Sequence, residues 1–358
     1  MNDNPSASSG GKDIALADKQ GDTLRRDHDL TRPGHAKRVA AVDIMRGVAI
    51  CGVLVIHSSF VGRFDSETLA VQAALMRLFD WAVAAFFFSS GLMHDSAAAF
   101  GTVFRRRLLS LLVPFFFYNL VYNLCFAGIS ATGLAGHSGL GLNVGSLATI
   151  FFESPAFQLY YLPYLFLVSV GVSGLNGIGG CKQRGMYLSL LALALAFYVV
   201  RGYPVKSHGP AMENLPLYLA SFLIGVLNRP ILLEPLSRPW LLASALAVTL
   251  ALLSFSWFHA LDLLVPPLLV AVAGAVRGIR ESRLLPLIGG MSGSIYVWHT
   301  PVMLPLITRT LARCGLPSMI NFFGSMVLTL AACVLLRQGM DLIFERGFKR
   351  RCPRYITL

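Results

Sequence analysis

Long apolar runs separated by short polar breaks dominate the chain from Val39 onward. Set against the roughly 20 residues a helix needs to cross the hydrocarbon layer, ten stretches are candidate spans. They lie near 39–60, 78–93, 108–128, 158–178, 186–201, 215–228, 239–256, 260–276, 285–308 and 320–337. The second and sixth are short or broken by Pro and Gly, which leaves room for one re-entrant segment. The two-residue alternation of a membrane barrel is absent, so helices must satisfy the backbone in lipid. The expected fold class is all-α: a polytopic transmembrane helical bundle of about ten spans, one domain over residues 39–337. Residues 1–38 are polar and lack an apolar core of signal-peptide length, which predicts a disordered, uncleaved cytoplasmic leader. Residues 338–358 read as a basic cytoplasmic tail.

Composition excludes a soluble domain. Of 358 residues, 55% are hydrophobic and 13% charged, with 24 Phe and a mean hydropathy of +0.64, against about 25% charged in soluble proteins. With the N-terminus inside, the outer segments hold only Arg63, Arg77, Arg201, Lys206, Arg309 and Arg313; apart from Arg46, every other Lys and Arg falls on the cytoplasmic side. That asymmetry is what the positive-inside rule requires of ten spans with both ends in the cytoplasm. The net charge of +12 therefore belongs to topology and to contact with anionic membrane lipids, and calls for no nucleic acid. The six cysteines are scattered without a C-x-x-C pair or a histidine at metal spacing, so no metal site and no disulfide framework is expected. A Gly-rich phosphate loop, a G-x-S-x-G elbow and H-E-x-x-H are missing too. Chemistry must come from polar residues inside the membrane.

The first span supplies them. Asp43, Arg46 and His57 interrupt it, and a charge at the centre of a span costs roughly 2.5–3.5 kcal/mol on the mildest scale. At about 100° per residue, Arg46 and His57 share one helix face about 16 Å apart along the axis, with Asp43 one turn below Arg46. Such a stripe is a functional-site candidate. Histidine, with an unperturbed pKa of about 6.5, suits a general base for a hydroxyl nucleophile. Arg46 has two readings: it stabilises negative charge on a substrate or intermediate, or it pairs with Asp43 and holds the helix in register. His299 and Tyr296 lie on the ninth span at the same expected depth as His57, as two walls of one cavity would. Tyr160, Tyr161 and Trp298 read as interface-belt aromatics, and Gly289-x-x-x-Gly293 as a close helix contact.

The run Arg38-Val-Ala-Ala-Val-Asp43-Ile-Met-Arg46-Gly47, followed by His57, resembles the opening signature of the acyltransferase 3 family. Three further segments agree in order: Phe86-Phe87-Phe88-Ser89-Ser90-Gly91, Phe104-Arg105-Arg106-Arg107-Leu108-Leu109 leading to Pro114 and Tyr118, and Ser292-Gly-Ser294-Ile-Tyr296-Val-Trp-His299-Thr-Pro301. Many family members carry a second arginine three positions after the basic stretch, where this chain has Ser110. The similarity covers about residues 38–310.

The resemblance implies transfer of an acyl group, usually acetyl, from a cytoplasmic coenzyme A thioester to a carbohydrate hydroxyl exposed toward the outer face. Acetyl-CoA or another acyl-CoA is then a donor substrate, and no cofactor is permanently bound. The acceptor is a carbohydrate of the envelope or an exported polysaccharide, lipid-linked in one version, and polysaccharide biosynthesis machinery is an expected partner in a bacterial inner membrane. His57, Arg46 and Asp43 would be the catalytic group. Ser292, Tyr296 and His299 would bind substrate. Arg105, Arg106 and Arg107 would grip coenzyme A phosphates through bidentate donors, although arginines beside a span are also ordinary positive-inside anchors. The competing class is a transporter for a saccharide or small solute. It also uses midmembrane charges and broken helices, but the Asp43-Arg46-His57 stripe has no counterpart in the second half, where an inverted repeat would place one.

Overall fold

The computed structural model describes residues 33–58, 62, 64–131, 157–179, 183–200, 214–233 and 260–348. Among these residues regular structure is entirely helical, as backbone in hydrocarbon demands when no barrel closes. Helix α1 is Pro33–Ser58, α2 Ser66–Phe79 and α3 Ala82–Leu92. Helix α4, Phe100–Arg107, runs through a π-turn at Leu108–Leu112 into α5, Val113–Ala131. A 3₁₀ turn at Phe157–Tyr160 leads into α6, Tyr161–Gly179, followed by α7, Gln183–Val200, and α8, Leu215–Leu233. Then come α9 (Ala260–Ala275), the short α10 (Arg277–Arg280), α11 (Leu284–Gly290), α12 (Ser292–Trp298), a π-turn at His299–Met303, α13 (Leu304–Arg313) and α14 (Ser318–Phe348).

Among the described residues, five stretches are long and apolar enough to cross a membrane: Ala40–Ser58, Ser66–Leu92, Phe100–Leu124, Gln158–Asn176 and Ser318–Ile343. Shorter apolar helices occupy 183–197, 215–229 and 262–275. The chain is thus a multi-pass helical membrane protein. The span expected at 239–256 lies outside the described residues. The basic stretch is helical: Arg105–Arg107 form the last turn of α4, and the helix continues through its π-turn into α5. One expectation needs correction. The stretch expected as one span at 285–308 is three helical pieces and a π-turn, since apolarity reports compatibility with lipid but not continuity of the hydrogen-bond ladder.

Two glycine-mediated crossings set the core. On α1 and α11, a Cβ at Gly47 would sit 2.5 Å from the Leu285 carbonyl oxygen, and one at Gly289 would collide with the Asp43 carbonyl. On α3 and α8, Gly91 faces the Phe222 carbonyl and Gly225 the Phe88 carbonyl, each too close for a Cβ. Small residues let backbones approach in membranes, where association depends on van der Waals packing. The expected close contact at Gly289 is therefore present, and it joins the first span to the segment that carries Tyr296 and His299. Fully buried Met45, Ile50, Phe87, Phe222 and Ile295 fill the space around these crossings.

Candidate active site

Helix α1 carries all three polar residues singled out in the sequence. Asp43 and Arg46 are half-buried, with Arg46 Nη1 3.8 Å from Asp43 Oδ1. At that separation the two charges attract without a hydrogen bond. Arg46 Nε is buried with no hydrogen-bond partner among the described residues, so Asp43 uses only part of this guanidinium.

Arg46 projects into a cavity of about 280 Å³. Its polar lining comes from four other elements: Ser89 and Ser90 of α3, Arg107 of α4, Tyr161 of α6, and Ser292 and Tyr296 of α12, while Phe86, Leu111, Leu162 and Leu165 form apolar walls. Arg107 Nε and Ser292 Oγ are also buried without a partner among the described residues. Buried guanidinium donors without acceptors are expensive, so the cavity suits an anionic or strongly polar ligand. Of the three arginines singled out in the sequence, only Arg107 reaches it; Arg105 and Arg106 are exposed. Consecutive helical residues diverge by about 100°, so one helical turn cannot aim all three at one ligand.

Tyr296 forms the partition between this cavity and the histidines. Its ring lies 5.4 Å from Tyr161 and 6.0 Å from His299, centroid to centroid. The His299 ring in turn lies 5.0 Å from that of His57, tilted by 60°. The two histidines expected to share a cavity wall are therefore in ring contact, both buried. His57 does not line the cavity that holds Arg46. The polar stripe of α1 thus reaches the cavity through Arg46 and the His299 ring through His57, and Tyr296 is beside both.

Local backbone chemistry fixes His299. The helix breaks just after this residue, where Thr300 has extended dihedrals, φ −126° and ψ 152°, and two helical pieces meet at a kink. His299 Nδ1 lies 3.0 Å from the Ile295 carbonyl and must donate to it. The neutral ring then carries its lone pair on Nε2, which accepts from Thr300 Oγ1 at 3.3 Å. Gln158, from the 3₁₀ turn before α6, holds both sides of the break. Its side-chain amide donates to the Thr300 carbonyl, and its own carbonyl accepts the Tyr296 hydroxyl. Tyr122 adds a hydrogen bond to the Val297 carbonyl at 2.7 Å.

Several of these residues escape sequence reasoning. Gln158 is a lone amide at a span end, and no signal there predicts a partner 142 positions away. Tyr161 is no belt aromatic: it is buried and lines the cavity. Tyr160 is turned to the interior as well, its hydroxyl 3.2 Å from that of Tyr218, and Trp298 packs edge-on against buried Tyr118. Gly293 lines the cavity.

The arrangement offers an acceptor-hungry cationic cavity, a hydroxyl-rich wall and a buried imidazole pair. No curated protein and no solved structure matches the chain. The family model described as an acyltransferase domain, acyltransferase 3, matches residues 39–338. This match contains every residue of the cavity and both histidines, and the chain belongs to the acyltransferase 3 family.

Proposed function

We propose that this protein is a membrane O-acyltransferase that moves an acyl group, acetyl in the simplest case, from cytoplasmic acyl-CoA to a hydroxyl of an envelope or exported carbohydrate. The observation that carries this reading is the juxtaposition of a cavity holding Arg46 and Arg107 with the His57–His299 pair, across the single ring of Tyr296. A donor with phosphates and a thioester suits the cavity, and a hydroxyl acceptor needs the base.

In the reaction the acceptor oxygen bonds to the thioester carbonyl carbon as its proton passes to His57. The carbonyl oxygen becomes an oxyanion, the carbon–sulfur bond breaks, and the proton ends on the coenzyme A sulfur. His57 is the base in this reading. His299 stands beside it with a fixed tautomer, its ring centroid 5.0 Å from that of His57. Arg46 sits where negative charge develops on the donor side, held by Asp43. In a variant of the same chemistry the acyl group rests on a histidine nitrogen between two half-reactions; both routes use these residues. Arg107 binds donor phosphate, Ser292 offers its unpartnered hydroxyl to the arm of the donor, and Tyr296 stands between the donor cavity and the histidines. The family match and the absence of a repeated polar stripe favour the enzyme over a transporter. The site of action on this reading is a bacterial inner membrane, with polysaccharide assembly supplying the acceptor.

The test is transfer of radiolabelled acetyl from acetyl-CoA, added outside inverted proteoliposomes of the purified protein, to enclosed lipid-linked sugar or polymer. Label in the carbohydrate supports the proposal. Label-free carbohydrate with saccharide crossing the bilayer would overturn it in favour of transport.

A further inference from the structure

His94 sits in the turn between α3 and α4 and is fully buried. A chain of hydrogen bonds decides which ring nitrogen carries its proton. Gln183 Nε2 donates to the Tyr187 hydroxyl at 3.1 Å, and that hydroxyl donates to Asn176 Oδ1. The Asn176 amide nitrogen therefore faces the other way, donating to the Ser96 carbonyl at 3.3 Å and reaching His94 Nε2 at 3.5 Å. With Nε2 as acceptor, the proton is on Nδ1. His94 Nδ1 is buried and has no hydrogen-bond partner among the described residues. Burial, with the charges of Arg107, Arg106 and Arg229, lowers the pKa of His94 to about 4, so the ring stays neutral with that one N–H.

The surroundings are short of acceptors. The guanidiniums of Arg106, Arg107 and Arg229 all act on the His94 ring, and Arg229 donates to the His94 carbonyl. Arg107 Nε lacks a partner. The one carboxylate acting on the ring, Asp95, is exposed and accepts from the Ala97 backbone at 3.1 Å. These donors come from α4, α8 and the α3–α4 turn, and the cluster is continuous with the cavity, whose wall includes Met93 and Arg107. Positive-inside anchoring accounts for arginines at a helix end, but not for a buried imidazole N–H left without an acceptor within reach of their charges.

We infer that Arg229 and His94, together with Arg106 and Arg107, form a phosphate-binding site that holds the nucleotide end of the acyl donor at the mouth of the cavity. The inference rests on the donor reading above and extends it to two residues outside the basic stretch. Arg229 supplies charge-assisted N–H donors from α8, beside the His94 carbonyl it already donates to, and His94 supplies one neutral N–H. Exposed Arg106, which misses the cavity itself, gains a role here.

Calorimetric titration of the full-length protein in nanodiscs of zwitterionic lipid tests it, using coenzyme A and pantetheine, which shares the thiol arm and lacks every phosphate. Arg229→Gln should raise Kd for coenzyme A about tenfold or more and leave pantetheine unchanged. Arg229→Lys, which keeps the charge and the fold but not the fork, should fall between. His94→Leu should weaken coenzyme A in the same direction. Unchanged coenzyme A affinity in Arg229→Gln overturns the site, as does equal loss for both ligands, which would mark a structural role. An effect of Arg229→Gln seen only as lost stabilisation by anionic lipid would assign the phosphate to a headgroup and also overturns it. Failure of the wild type to bind coenzyme A at all would instead remove the donor reading beneath it.

Discussion

Gly289 and Gly290 are neighbours on α11 with opposite surroundings, and replacing each by Ala isolates the helix crossing that assembles the site. A Cβ at Gly289 would land on the Asp43 carbonyl, whereas at Gly290 nothing lies within 4 Å. Both changes gain the same intrinsic helix propensity, about 1 kcal/mol, so the difference between the two variants reports the steric term alone. Restoring a normal carbon–oxygen approach of about 3.3–3.6 Å requires α1 and α11 to separate by roughly 1 Å or more. Overpacking on this scale costs about 1–3 kcal/mol. The same movement carries Arg46 away from Ser292 and Tyr296, and a 1 Å misplacement of catalytic groups can lower turnover by about 10²-fold. Gly290→Ala should therefore match or exceed the wild type in thermal unfolding followed by fluorescence-detected size exclusion, and keep its acyl-transfer rate. Gly289→Ala should unfold several degrees lower and lose most of its activity. Equal behaviour of the two variants would refute the backbone contact and with it the packing that places Arg46 in the cavity.

Four further outcomes follow from the same geometry. His57→Ala should fold normally and lose acyl transfer by about 10²- to 10⁴-fold; near-normal turnover would remove His57 as the base. Arg107→Lys should raise the apparent KM for the acyl donor, because Lys lacks the bidentate fork, while exposed Arg105→Lys should not; a donor titration in vesicles in which both match the wild type would reduce the stretch to a topological anchor. The depressed pKa of His94, about 4, means the unfolded chain takes up a proton near pH 6.5 that the folded protein refuses until about pH 4. Stability should then fall as pH drops through that window and flatten above it, and His94→Gln should show a shallower dependence. Reporter fusions should find residues 1–38 and the C-terminal end on the same, cytoplasmic, side; opposite sides would break the ten-span scheme.

The sequence carried those features whose physics is local. Lipid-length apolar runs announce helices, and charges inside them are expensive enough to be noticed one residue at a time, which is how Asp43, Arg46 and His57 stand out. Helical periodicity then places Arg46 and His57 on one face, and equal depth on two spans brings His57 and His299 together. What stayed hidden depends on relations between distant segments. The rotation of α4 that admits Arg107 to the cavity and turns Arg105 outward is set by packing against other helices, so three adjacent arginines look equivalent in the chain. Tyr161 looks like a belt aromatic because it sits at a span end, yet the fold closes Phe87 and Tyr296 around it.

The break at His299 shows why span counting and site finding diverge. An unbroken helix through 285–308 would bury Thr300 and its carbonyl inside the regular ladder, leaving Gln158 without that acceptor. The break releases the Thr300 carbonyl to Gln158, while the Ile295 carbonyl, which still accepts the His299 backbone N–H, also takes His299 Nδ1. Backbone polarity that a continuous helix would satisfy internally is taken up at Thr300 by a side chain from another segment. In hydrocarbon an unsatisfied backbone group costs several kcal/mol, so such a break persists only where side chains such as Gln158 re-satisfy it. The irregularity that spoils the ninth span as a hydropathy segment therefore begins at the residue whose ring meets His57.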